Sequence, residues 1–333
     1  MNDISTGVGN GYSRRDFLKA AGVGIAGVAG WGAVPAEGSA LASRAEACVW
    51  IHLSGGLSQL DTFDPKPEAP LDIRGPFAFR RSGIPGVQVC QHLPRIAEIL
   101  GETTLIRSCS SDETNHDRAA HYWFTGCRPT VALDSTPLGS FLAAKGSRGR
   151  FSAETVIHSS PEGATTKRFF RFPASYSSAM VERNDLVEAC RVALQSVEAG
   201  CRFVTVADEG WDAHENLHAQ YQAKKLPELD QALSSLLIGL QRRGLWKDTL
   251  VVLMGEFGRS PKINAHGGRD HWPHSGCAIL AGGPMRRGLV IGETDARGAF
   301  PLHAPMTPPA LAKMILPAMG LNEECLTRSD LPA

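Results

Sequence analysis

The chain has 333 residues, enough for one large domain, and 43% are hydrophobic, so a sizeable core can be buried. Lys+Arg and Asp+Glu both number 34, for a formal net charge of +0, and neither a basic footprint nor an acidic tail is present. This balance argues against a nucleic-acid partner and leaves ligand capture to a local site.

The first stretch reads as an export signal rather than fold material. "SRRDFLKAAGVGIAGVAGWGAV" carries the pair Arg14-Arg15, then a Gly/Ala-rich run from Ala20 to Val34, and "SALA" offers a cleavage site at Ala40-Leu41-Ala42. The paired arginine points to the Tat route, with the Tat translocon as a passing partner and a periplasmic or secreted destination. The alternative, a membrane anchor, needs about 20 strongly apolar residues. The run here is shorter and ends at Pro35 and Glu37, so no stable membrane span is expected after cleavage. The expected organisation is a leader over 1–42 and one domain over 43–333. Residues 128–200, where the pattern is weak, would form a shortened insertion or cap.

Five apolar runs read as buried strands: "CVWIHL" (48–53), "TLIRSC" (104–109), "CRFVTVA" (201–207), "TLVVLM" (249–254) and "CAILA" (277–281). They are continuous rather than alternating, as in a parallel sheet covered on both faces. Helical patterns lie between them. "LPRIAEILG" (93–101) is short. "LPELDQALSSLLIGLQRRG" puts Leu226, Leu229, Leu233, Leu236, Leu237 and Leu240 on one face, with Pro227 suited to the first turn and Gly244 to the stop. Strand, helix, strand at this spacing predicts a three-layer α/β/α fold with a mostly parallel central sheet. The eight cysteines show no C-x-x-C spacing, which argues against a zinc ribbon. Several sit in apolar runs and read as small buried hydrophobes, with one or two disulfides open after export.

Each strand is followed by polar residues, and ligands gather at the carboxyl ends of parallel strands. After the first run, Ser54-Gly55-Gly56 reads as a turn or a ligand approach, and Asp61 and Asp64 as ligands or turn residues. After the second, "TNHDRAAH" offers Thr114, His116, Asp117, Arg118 and His121 at a helix start, where anions are favoured. After the third, Asp212, His214, Glu215 and His218 read as divalent-cation ligands or as a helix cap. After the fourth, Glu256 at the mouth of a buried strand should meet a cation or Arg259. "GGRDHWPH" adds Arg269, Asp270, His271 and His274, with Gly267 and Gly268 allowing close backbone approach to a ligand. No G-x-S-x-G elbow is present, which disfavours a serine triad.

Taken together, "GGLSQLDTFDPKP", "IRGPF", "HLPRIAEILGETTLIRS", "NHDRAAHYWFTG", "GWDAHENL" and "DTLVVLMGEFGRSPKINAHGGRDHWP" resemble the bacterial family called domain of unknown function 1501. That family is counted among sulfatase-like members of the alkaline phosphatase superfamily. The resemblance implies an alkaline-phosphatase-like core and a divalent metal (zinc, calcium or manganese) held by Asp212, His214, Glu256 and His271, joined by Asp61 and His116. With such a site the expected activity is hydrolysis of phosphate or sulfate esters, by metal-activated water or by a nucleophile near residues 114–116. Thr114 is the nucleophile in that scheme, or His116 serves as acid or base. Arg259 and Arg269 would clamp ester oxygens, with Ser54 and Asp270 beside the substrate, a small anionic ester or a sulfated or phosphorylated glycan. Three departures favour an alternative, a catalytically degenerate metal-binding or scaffold protein. His116 stands where a Ser, Thr or Cys nucleophile is expected, Ser54-Gly55-Gly56 replaces an aspartate, and Gln59 stands where the family usually has His.

Overall fold

The computed structural model describes residues 44–128, 154–159, 179–183 and 185–321. The leader read over 1–42 and Cys325 lie outside the described residues, as do positions 129–153 and 160–178 of the expected cap region. In chain order, β1 (Ala47–Leu53) leads to a one-turn helix α1 (Leu71–Arg74) and a hairpin of β2 (Phe79–Arg81) and β3 (Gln88–Cys90). Next come α2 (Pro94–Ile99), β4 (Thr103–Cys109), α3 (His116–Thr125), β5 (Glu154–Ser159), β6 (Ala179–Arg183), α4 (Leu186–Glu198) and β7 (Phe203–Asp208). The chain continues through α5 (Leu217–Gln220), α6 (Leu226–Arg242), β8 (Thr249–Met254), β9 (Gly258–Arg259), β10 (His271–Trp272), β11 (Gly276–Gly282), β12 (Leu289–Ile291) and α7 (Pro308–Ala318).

Among the described residues, eight strands form one sheet in the order β12-β4-β11-β8-β1-β7-β5-β6. Only β11 runs against its neighbours, β4 and β8; every other pairing is parallel. The sheet is covered on both faces, as the unbroken apolar strands require. Alternate residues of β1 show this directly. Val49, Ile51 and Leu53 pack into the core beneath α2, α4 and α6, while Cys48 and Trp50 pack into the one beneath α3 and α7. The architecture is the predicted three-layer α/β/α sandwich.

The five strand runs appear within a residue or two of their expected bounds. The leucine stripe of α6 is buried on the expected face, and each leucine so covered contributes about 1.5–3 kcal/mol of burial. Its start differs from expectation. The helix does not begin at Leu226; it continues from α5 through one π-type turn, Tyr221–Lys225. Pro227 has no N–H and its ring collides with the carbonyl four residues back in a regular helix, and the widened turn relieves that conflict. Gly244, at φ 72°, ends the helix as predicted. Among the described residues Cys48, Cys90, Cys109, Cys190 and Cys277 are buried free thiols. Among the described residues no helix is long and apolar enough to cross a membrane.

Candidate metal centre

The carboxyl ends of β1, β7 and β8 and the start of α3 meet at one edge of the sheet. Asn115 fixes the start of α3: its Oδ1 accepts the Arg118 N–H at 3.1 Å. That cap presents His116 as the first helical residue. His271 is placed by the short ladder of β9 and β10, in which it lies opposite Arg259. Asp212 sits in the loop after β7, which is tied to β1 by the Ser54 N–H to Asp208 and the Trp211 N–H to the Ser54 carbonyl.

Ligand atoms of His116, Asp212 and His271 lie within 4.8 Å of one another. The Asp212 carboxylate is the hub. Its Oδ2 lies 3.4 Å from His116 Nε2. Its Oδ1 lies 3.1 Å from His271 Nε2 and 3.0 Å from His214 Nε2. The two imidazoles themselves approach to 3.0 Å, Nε2 to Nε2.

The other nitrogen of each ring is held by an oxygen. His116 Nδ1 lies 2.5 Å from Glu256 Oε1, His214 Nδ1 3.0 Å from Asp270 Oδ1, and His271 Nδ1 3.0 Å from the Thr114 carbonyl. A carbonyl can only accept, so His271 carries its proton on Nδ1, and the two carboxylates impose the same on His214 and His116. Three Nε2 lone pairs are therefore aimed at one carboxylate. Two lone pairs 3.0 Å apart repel unless a proton or a cation lies between them, and an oxygen behind each imidazole is the usual support of a metal-bound histidine. The donor set fits a metal ion.

Charge in the site agrees. Burial opposes protonation of His116, but the Asp212 and Glu256 carboxylates outweigh it and raise its pKa to about 9. Without a metal, the site thus keeps a proton among its donors. Burial would raise the Asp212 pKa, yet the hydrogen bonds to His116, His271 and Arg259 hold it far below the carboxylate range.

Glu256 is 1% exposed and stands behind His116 rather than among the converging atoms. Its Oε1 also accepts the Gly55 N–H at 2.8 Å, and its Oε2 lies 3.4 Å from His52 Nε2. Of the two expected partners, a cation or Arg259, the arginine lies elsewhere, on Asp212. Asp61 was expected to be a ligand, but Arg269 Nε at 2.7 Å, His218 Nε2 at 2.9 Å and Ser58 Oγ at 2.5 Å surround it. Burial would raise the Asp61 pKa; Arg269 and His218 pull it well below its ordinary value. A carboxylate so neutralised has no lone pair left over for an ion.

Both arginines also depart from expectation. Arg269 is 0% exposed and donates to both oxygens of Asp61 and to the carbonyls of Ser260, Pro261 and Ile73. All five N–H groups are committed. Arg259, equally buried, donates to the carbonyls of Gly55, Gly56 and Arg269 and, at 2.5 Å, to Asp212 Oδ1. Neither can clamp an ester without losing these partners. Gln59 is a buried cross-link: its side chain bonds the Arg259 backbone N–H at 2.9 Å and carbonyl at 2.9 Å, and the Gly298 carbonyl at 3.1 Å.

Thr114 is exposed, and the site uses its carbonyl. Ser54 contributes only the backbone bonds already described. Asp270 is at the rim, 59% exposed. Asp212 caps no helix; Asn216 precedes α5. Gly268 serves a close approach of protein, not ligand: a Cβ there would lie 2.0 Å from the His214 carbonyl carbon. Sequence reasoning missed His52, whose signal was a lone histidine in an apolar strand, and Asn115, the cap before His116.

The family model described as "Protein of unknown function (DUF1501)" matches residues 45–167 and 166–331. The chain belongs to this family. No curated protein matches it. Among solved structures, the lipoteichoic acid synthase LtaP from Listeria monocytogenes is 11% identical, with 85% of this chain and 74% of that one covered, at a TM-score of 0.50. A Bacteroides thetaiotaomicron 4S-sulf protein, from a locus for the metabolism of multiple glycosaminoglycans, is 11% identical over 85% of this chain and 75% of that one, at 0.52. A Vibrio parahaemolyticus member of the alkaline phosphatase superfamily is 11% identical over 87% and 71%, at 0.44. At these identities the likeness to the first two is one of fold, the three-layer α/β/α sandwich.

Proposed function

We propose that this DUF1501 protein is an exported, metal-dependent hydrolase of phosphate or sulfate esters, working as one domain behind a Tat leader. The convergence of His116, Asp212 and His271 carries the reading, with His214 as a fourth donor. Three imidazoles and one carboxylate suit zinc better than calcium, which takes oxygen ligands. A divalent ion held there would lend Lewis acidity to an ester oxygen and to an attacking water. The residues do the rest. Glu256, Asp270 and the Thr114 carbonyl orient the three rings, and Arg259 fixes Asp212. His116 cannot be both ligand and nucleophile, and its Nε2 faces Asp212, so water is the nucleophile in this reading. A sulfated or phosphorylated glycan is the favoured substrate class, supported by the glycosaminoglycan locus of the Bacteroides relative in fold.

The test is to purify the exported form, quantify its metals and assay aryl phosphates and sulfates. His271→Ala should lose both the ion and turnover. Turnover that persists in this variant, or in chelated protein, would refute the metal mechanism. The commitment of both Arg259 and Arg269 to internal partners favours a second reading, a metal-binding scaffold without catalysis. Full zinc occupancy with no turnover on any ester would select it.

A further inference from the structure

Beside the metal centre lies a cavity of about 220 Å³ that the hydrolase reading does not use. It is bounded by the loop from β4 to α3, by α3 itself, and by the segment between β12 and α7. The distance to the centre is short. Ser111 and His274 line the cavity and lie three residues from Thr114 and His271, a reach of about 10 Å in extended chain. The Ser111 N–H donates to the Pro273 carbonyl at 2.8 Å, joining the two segments between cavity and centre.

The walls are of two kinds. One is aromatic: the ring of Phe300 lies 5.6 Å from His274 and 5.5 Å from Trp272, whose Nε1–H fastens the segment through the Ala299 carbonyl at 2.7 Å. The other is an exposed fork. Arg128 donates from both terminal nitrogens to Asp112, at 3.0 and 2.9 Å, and lies 5.4 Å over the ring of Tyr122. Asp112 cancels the charge of Arg128, so the cavity has little to hold a second anion. A wholly apolar ligand would strip water from the ion pair without replacing its hydrogen bonds. The matching ligand is neutral and two-sided, with C–H faces for the rings and hydroxyls at its edge for the fork. A cavity of about 220 Å³ has room for one small ring.

We infer that this cavity is a subsite for one uncharged sugar ring, the neighbour of the ring whose ester reaches the metal centre. The inference rests on the hydrolase reading for its place in the reaction, but sugar binding is measurable without catalysis. Saturation-transfer NMR on the full mature protein, with and without chelator, would use methyl galactoside, methyl N-acetylglucosaminide and methyl fucoside, with adenosine as a flat aromatic competitor. At least one glycoside should receive saturation, and the signal should survive chelation and His271→Ala. It should fall at least fivefold in Phe300→Ala and in the exposed Arg128→Ala, and return in Phe300→Trp. Silence from all three glycosides, signal from adenosine alone, or an undiminished signal in both alanine variants would overturn the subsite. Glycoside binding by a zinc-loaded parent protein that turns over no ester would instead count against the hydrolase.

Discussion

Glu256 reaches His116 across the buried edge of the sheet, with Oε1 2.5 Å from Nδ1. Burial alone would raise the pKa of this carboxylate; the hydrogen bond to His116 and the nearness of His52 lower it instead. The ionised Glu256 therefore fixes the proton of His116 on Nδ1 and turns Nε2 toward Asp212. Glu256→Gln keeps the shape and weakens that constraint. Partners of this kind are worth about 10–100-fold in metal affinity. Competition with a chromophoric chelator should show zinc affinity falling by that factor, and an unchanged affinity would mean that Glu256 does not orient the ligand.

The metal-free protein should lose stability as the solution becomes alkaline. The pKa of His116 is raised from 6.5 to about 9 in the folded state. A raised pKa means that the folded chain holds the proton more tightly than the unfolded one. The resulting stabilisation is fully present below about pH 6.5 and disappears as pH rises toward 9. Thermal melts of chelated protein across this window should decline, and His116→Gln should flatten the decline. Bound metal should reverse the trend, because the ion competes with that same proton. A flat profile for the chelated protein would contradict the charge assignment at His116.

Arg269 and Asp61 form a wholly buried pair, each side chain 0% exposed. Removing one partner of such a pair leaves an uncompensated charge and costs about 3–5 kcal/mol. His218 remains beside Asp61 and moderates the loss toward the lower end. Urea unfolding of Arg269→Met should show a deficit of about 3 kcal/mol. If Arg269 instead held the substrate, stability would be kept and only KM would rise.

The sequence revealed the sheet because its strands are buried on both faces, so each appears as an unbroken apolar run. The reversal of β11 left no such mark, since a central strand is equally apolar in either direction. β5, β6 and β12 lie toward the ends of the sheet, and none shows in the sequence as a long unbroken apolar run. In the candidate centre, Asp212, His214 and His271 stood out because metal-binding residue types clustered after strands. Residue type could not show which charges were already matched. As residue types Arg259, Arg269 and Asp61 suggest a ligand, and only the fold shows Arg269 facing Asp61 and Arg259 facing Asp212. Gln59 likewise suggests a lost function, yet from a fully buried position it bonds the backbone of Arg259 and of Gly298.

The approach of Gly55 to Asp212 offers the sharpest test of how the centre is assembled. Gly55 has φ +113°, and a Cβ there would stand 2.3 Å from the Asp212 backbone nitrogen. A positive φ alone costs a side-chain-bearing residue about 1–2 kcal/mol. The collision is with backbone, which cannot rotate away as a side chain would. Gly55→Ala must therefore push the loop after β7 outward, carrying Asp212 from His116 and His271. The same shift pulls the Gly55 N–H from Glu256 and the Gly55 carbonyl from Arg259. Zinc binding should fall further than for Glu256→Gln, because the hub moves rather than one support. Calorimetric titration with zinc checks this, alongside urea unfolding to confirm that the variant remains folded. A folded Gly55→Ala protein that binds zinc as tightly as the parent would show that Asp212 is not the residue around which the centre is built.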